Sequence, residues 1–216
     1  MADITYDKIK ETIQDAINHQ MRSVTDWHFG SPVYDDEGEP ANDLAGVSGL
    51  RELIGRQHWT NFQLWHVEDR ARLKDVDANI IAQCKYEIDQ LNQKRNDLIE
   101  RVDECLIGML APLLPADAAE RYNTETVGAA LDRLSIQALK IYHMKEQCRR
   151  KDVDQAHIDQ CDAKVVTLQQ QHEDLGRAIH ELIDEYAEGT KKPKVYFQFK
   201  MYNDPSLNPE LYKNKK

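Results

Sequence analysis

The stretch DVDANIIAQCKYEIDQLNQKRNDLIERVDECLIGML, residues 75–110, decides the fold. Val76, Ile80, Cys84, Ile88, Leu91, Leu98, Val102 and Leu106 recur at the spacings of one helix face, and no proline follows until Pro112. The same pattern runs upstream through Val47, Trp59, Phe62, Trp65 and Leu73, a length that reads as one helix or as two in register. A break is predicted at Lys74–Asp77, where the carboxylate of Asp75 or Asp77 would cap a new start.

Further upstream, Phe29–Ala45 gathers Gly30, Pro32, Gly38 and Pro40 with the acids Asp35, Asp36, Glu37 and Glu39, which makes it a loop. Before it, Ile4, Ile9, Ile13, Ala16 and Ile17 give an amphipathic first helix over Ile4–Ser23. Downstream, Pro112 and Pro115 end the central helix, and Asn123 and Thr126 offer side-chain oxygens to open one that runs to Arg150. After a turn at Lys151–Asp154, the last helix covers Gln155–Tyr186 and stops before Gly189 and Pro193. Val195–Tyr202 alternates as a strand would but has no partner strand, so it is expected to lie extended over the bundle, with turns at Asn203–Pro205 and Asn208–Pro209. The fold class read from this is all-α: an antiparallel bundle of about four to six helices with a long central helix or helix pair. Residues 1–189 form the bundle domain and residues 190–216 an extended, basic and aromatic C-terminal tail.

Composition agrees: nine glycines and seven prolines are few for 216 residues, and 41% apolar content suffices for one core. A formal net charge of −10 repels a phosphate backbone, which argues against nucleic acid as a partner. No apolar run approaches the roughly 18–20 residues that span a bilayer. The N-terminus also lacks the basic-then-apolar layout of a secretion signal, so the expectation is a cytoplasmic protein without membrane insertion. Cys84, Cys105, Cys148 and Cys161 form no C-x-x-C pair and are read as free thiols, with a link between Cys148 and Cys161 across the helical turn as the minor alternative.

Chemistry-bearing residues gather in three helical clusters. In the first, Asn61, Trp65, Glu68 and Arg72 share one side while Phe62, His66, Asp69 and Leu73 form the adjacent stripe, so His66 and Asp69 fall on the expected apolar seam. Burying such groups is costly unless they are paired or hold a ligand. In the second, Asn92 and Arg95 interrupt the stripe of Ile88, Leu91, Leu98 and Val102, with Asn96, Asp97 and Glu100 beside them. Asp69 with Arg95 is the first contact expected between the two. The third, Asp132, Arg133, Ser135, Lys140 and His143, lies on a helix apolar on nearly every side, hence a central one. Glu173, Asp174 and Arg177 repeat the spacing of Glu68, Asp69 and Arg72, which reads either as an ordinary ion pair or as a second wall of a shared pocket. No P-loop, dinucleotide fingerprint, nucleophile elbow or zinc-type Cys/His spacing occurs, so no catalytic nucleophile, metal or cofactor is assigned and catalysis stays open.

The strings NFQLWHVEDRAR (61–72), IDQLNQKRNDLIERVDE (88–104) and VGAALDRLSIQALKIYHM (127–144) together resemble the bacterial family catalogued as domain of unknown function 4254, over most of residues 1–187. The resemblance implies a helical, cytoplasmic bacterial protein, and relatives tend to sit near genes for cell-surface polysaccharide synthesis. Its motif positions are Asn61, Trp65, His66, Glu68, Asp69 and Arg72, then Asn92, Arg95, Asn96 and Asp97, then Asp132, Arg133, Ser135 and Lys140.

The leading expectation is a binding protein whose polar inter-helix pocket takes a small anionic ligand such as a phosphorylated sugar or sugar nucleotide. Trp65 would be its apolar wall, Glu68 and Asp69 its acceptors, and Arg72 and Arg95 its anion forks. One alternative is a metal-dependent hydrolase using His66, Glu68, Asp69 and Asp97. The other is a scaffold homodimer in which the aromatic tail Tyr196–Tyr202 docks on a neighbour.

Overall fold

The computed structural model describes residues 4–30, 44–199 and 204–213. In chain order its helices are α1 (Tyr6–Phe29), α2 (Gly46–Ala71), α3 (Ala78–Leu110), α4 (Val127–Cys148), α5 (Gln155–Ala187) and the single turn α6 (Pro209–Tyr212). The first five pack antiparallel, and there is no strand among the described residues.

Most helix starts have a side-chain cause. Thr5, Asp77, Thr126 and Asp154 each accept a hydrogen bond from a first-turn backbone N–H, at 3.2, 2.7, 3.1 and 2.8 Å. Such caps satisfy donors the helix cannot, and each contributes about 1 kcal/mol. The break expected at Lys74–Asp77 is present, with Asp77 rather than Asp75 capping α3. α5 ends at Gly189, whose φ of +70° suits glycine and lets Thr190 N–H reach back to Glu185 O at 3.0 Å. Gly189 O then accepts from Ala119 N–H at 2.8 Å, fastening the connection before α4 to the end of α5.

One element differs from the sequence reading: α1 continues past Ser23 to Phe29 because Val24 and Trp27 carry the buried stripe onward. The tail through Phe199 forms no strand and lies against the bundle, where Lys192 N–H bonds to Arg121 O at 2.9 Å and Gln198 N–H to the Glu100 carboxylate at 2.8 Å. Residues 31–43, which hold most of the expected acidic loop, and Lys200, Met201 and Tyr202 lie outside the described residues. All four cysteines are free thiols.

The main core joins Ile9, Ile13 and Ile17 of α1, Leu50 and Leu53 of α2, Leu106 and Leu110 of α3, Leu131 and Leu134 of α4, and Ile183 of α5. Each such side chain is worth roughly 1.5–3 kcal/mol of burial. A smaller aromatic cluster of Trp27, Trp59 and Phe62 adjoins Leu139. As expected, α4 is central and touches α1, α2, α3 and α5.

Its height against α3 is set at Gly128, where a Cβ would stand 2.6 Å from Ile99 O and 2.9 Å from Asp103 Oδ1. The Asp103 carboxylate accepts from Gly128 N–H at 2.7 Å, and burial pushes this group up to about 6, against the opposing bonds from Thr126 and Gly128. That close contact fixes where the next turn of α4, carrying Asp132, meets its neighbours. No helix of the described residues is long and apolar enough to cross a membrane.

Candidate functional site

The apolar face of α4 is interrupted by Asp132 and Ser135, which meet Gln57, His58 and Asn61 of α2; all five are buried, His58 and Ser135 completely. Asp132 Oδ1 accepts from Gln57 Nε2 and, at 2.9 Å, from Asn61 Nδ2. Asn61 Nδ2 also stands 2.8 Å from Ser135 Oγ, which in turn lies 2.7 Å from His58 Nδ1. Gln20 of α1 completes the layer by donating to Leu131 O at 3.2 Å. Burial holds His58 neutral, its pKa driven down to about 3, with His19 adding to the effect and the backbone at Gln20 opposing it. Although it contains a serine, a histidine and an aspartate, this layer is no nucleophile: a hydroxyl with no exposed surface cannot reach a substrate.

Arg95 of α3 approaches the layer from its open side. Its Nε lies 3.9 Å from Asp132 Oδ1 and, although buried, has no hydrogen-bond partner. Burial raises the Asp132 pKa despite the opposing pull of Arg95, Asn61 and Gln57, so the carboxylate is only partly compensated by the cation. The expected Asp69–Arg95 contact is therefore replaced by Asp132–Arg95. Asp69 itself is exposed, because the end of α2 turns it out of the seam.

Above Arg95 opens a cleft of about 380 Å³ between α2, α3 and α4. α2 supplies Asn61, Trp65, Glu68 and Asp69, its C-cap is Arg72, α3 supplies Asn92 and Arg95, and Leu64, Ile136 and Leu139 give the apolar part. Arg72 stands at the rim, its guanidinium held by the Glu68 carboxylate at 2.8 Å and the Glu68 carbonyl at 2.6 Å. The remaining predicted positions fall elsewhere. Asn96 is buried on α3, and Asp132 lies beneath the cleft within the polar layer. Arg133 is exposed and paired with Glu125. Lys140 lines a neighbouring cavity between α4 and α5.

His66 points to the other side of α2, where its ring lies 5.1 Å from His28 and 6.1 Å from His143 between ring centres. Burial and these two neighbours lower its pKa. Asp97 is exposed and accepts from Gln93 at 2.6 Å. His66, Glu68, Asp69 and Asp97 thus do not gather about one point, and no group of three or more His, Cys, Asp or Glu among the described residues is arranged to hold a metal ion. The repeat at Glu173, Asp174 and Arg177 is an ordinary ion pair of Arg177 with Asp174.

Sequence reasoning missed Gln20, Gln57 and His58. The signal was present: Gln20 continues the stripe of Ile13, Ile17 and Val24, and Gln57 sits between Leu50, Ile54 and Leu64 on theirs.

The sequence model of the family described as "Protein of unknown function (DUF4254)" matches residues 51–195, well over half of the chain, and the chain belongs to that family. No curated protein and no solved structure matches it.

Proposed function

We propose that this DUF4254 protein is a binding protein whose α2–α3–α4 cleft takes a small anionic ligand. The observation that carries the reading is Arg95. Its side chain is only 25% exposed, its Nε has no hydrogen-bond partner, and the carboxylate nearest to it is already engaged by two amides. A guanidinium left short of acceptors at the base of a cleft favours a planar, bidentate oxyanion such as phosphate or carboxylate. Trp65 offers an apolar face, while Asn92 and the Glu68 and Asp69 carboxylates offer partners for hydroxyls, a mixture suited to a phosphorylated sugar. At about 380 Å³ the cleft lies near the small end of the range of roughly 300–1,000 Å³ found for ligand sites, so it accommodates a monosaccharide phosphate by itself.

Isothermal titration with inorganic phosphate, pyrophosphate and glucose 1-phosphate tests this. The wild type is expected to bind at least one of them, and Arg95→Met to lose on the order of a hundredfold in affinity, the size of a desolvated charge-assisted contact. Equal binding by wild type and Arg95→Met, or no binding by the wild type, would refute the reading.

A second reading, a scaffold in which residues 190–216 dock on another copy, is favoured by Phe197 and Phe199, which stand exposed beside each other with ring centres 5.6 Å apart. Light scattering of the full chain and of a chain ending at Gly189 tests it, since a strict monomer in both cases rules it out.

A further inference from the structure

Trp65 lines more than the cleft above Arg95. The same residue borders a second cavity of about 550 Å³, which Met144 and Leu168 line with apolar surface and beside which stand Lys140 of α4 and Lys164 of α5. The Trp65 ring is stacked on His143 with centres 4.7 Å apart and planes 8° apart, so a flat aromatic pair forms the border between the two spaces. Lys140 and Lys164 are exposed and enter none of the ion pairs among the described residues. In a chain of net charge −10, two lysines without carboxylates at an apolar cavity are a local reversal of sign. With Arg95 in the cleft, cations from three helices line the two spaces that share Trp65.

Building on the anion reading of the cleft, we infer that the two spaces form one bipartite site and that its ligand class is a nucleoside diphosphate. Each part of the ligand answers to a feature already described. Two phosphates suit cations lining both spaces, where one phosphate would satisfy Arg95 alone. A flat ring suits a lobe of Met144 and Leu168 bordered by stacked aromatic rings, because any base offers a π-face whatever its edge. The size agrees as well: the cleft alone is small for such a ligand, whereas both spaces together approach the upper part of the range of roughly 300–1,000 Å³.

The experiment is a titration of the full chain with UDP, ADP, GDP and CDP, with inorganic pyrophosphate as the ligand lacking a ring and farnesyl diphosphate as the ligand with an aliphatic chain instead. At least one nucleoside diphosphate is expected to bind roughly tenfold tighter than pyrophosphate, the size of one base–aromatic contact. Leu168→Gln, which makes the lobe polar without adding a charge, should remove that advantage while pyrophosphate binding persists. Thr167→Met, which narrows the lobe from an exposed position on α5 without adding an aromatic ring, should do the same and guards against a folding defect in the first variant. Pyrophosphate bound as tightly as every nucleoside diphosphate, farnesyl diphosphate bound tightest, or an advantage that survives both variants would overturn the bipartite site and leave the anion cleft standing. Failure of every phosphate to bind would overturn both.

Discussion

Asp132→Ala is the sharpest probe of the layer under the cleft. The substitution removes the acceptor of Gln57 Nε2 and Asn61 Nδ2 and the counter-charge 3.9 Å from Arg95 Nε. Each buried amide donor left without a partner costs about 1–3 kcal/mol, and stripping one partner from a buried ion pair costs about 3–5 kcal/mol. These contributions overlap, since the same carboxylate serves all three groups. Burial also already raises the Asp132 pKa, so its removal relieves some desolvation. The expected loss is therefore about 3–4 kcal/mol, near the lower bound for the pair. At roughly 2–4 °C per kcal/mol for a chain of this size, the midpoint of thermal unfolding should fall by about 10 °C. Asp132→Asn keeps the acceptor oxygen for the two amides but still strips the counter-charge from Arg95, and should lose less, about 2–3 kcal/mol. Urea unfolding followed by circular dichroism measures both, with an unchanged slope showing that the native and unfolded states are otherwise comparable. A loss below about 1 kcal/mol for the alanine variant would mean that water reaches the donors, and the reasoning that places Arg95 on a dry, under-compensated layer would fail.

Gly128→Ala should cost roughly 3 kcal/mol in the same assay: overpacking against Ile99 O and loss of the Asp103 bond outweigh the gain of about 1 kcal/mol in helix propensity. A neutral or stabilised variant would show that α4 can slide on α3 without cost. Asp103 has a folded-state pKa of about 6, above that of the unfolded chain, so its protonated form contributes stability that is fully present below about pH 4 and is lost as pH rises through about 6. The stability advantage of wild type over Asp103→Asn should accordingly shrink by at most about 3 kcal/mol across that window and stay flat above it; parallel pH curves would refute the assignment.

The all-α fold was legible because its information is local. The period of apolar residues, the caps at Asp77 and Thr126 and the prolines after α3 each act over a few positions. The motif residues of the cleft were legible for a related reason: Asn61, Trp65 and Arg72 share one helix face, and Arg95 interrupts another. The pairing across helices was not. Whether Arg95 meets Asp69 or Asp132 depends on the offset between helices, and that offset is set by the approach of α4 at Gly128, a contact between positions distant in sequence. Asp69 shows the second limit, helix phase. Near the end of α2 a small rotation is enough to turn a side chain from the seam to solvent.

The buried layer also explains why the cleft and not the serine–histidine pair is the place to look for function. Gln57, His58, Asn61 and Ser135 are joined through Asp132 Oδ1 and Ser135 Oγ, and although Gln57 Oε1 and His58 Nε2 have no hydrogen-bond partner, neither residue lines the cleft, so neither atom is within reach of a ligand there. Arg95 is different because Asp132 reaches it last and at 3.9 Å, after two amides have taken the carboxylate. The layer thereby holds Asp132, the counter-charge beside Arg95, in place and leaves the guanidinium short of acceptors. A counter-charge that is already held needs little rearrangement when an anion arrives, which is the usual gain from preorganisation. Softening the layer should therefore weaken anion binding even where Arg95 is intact.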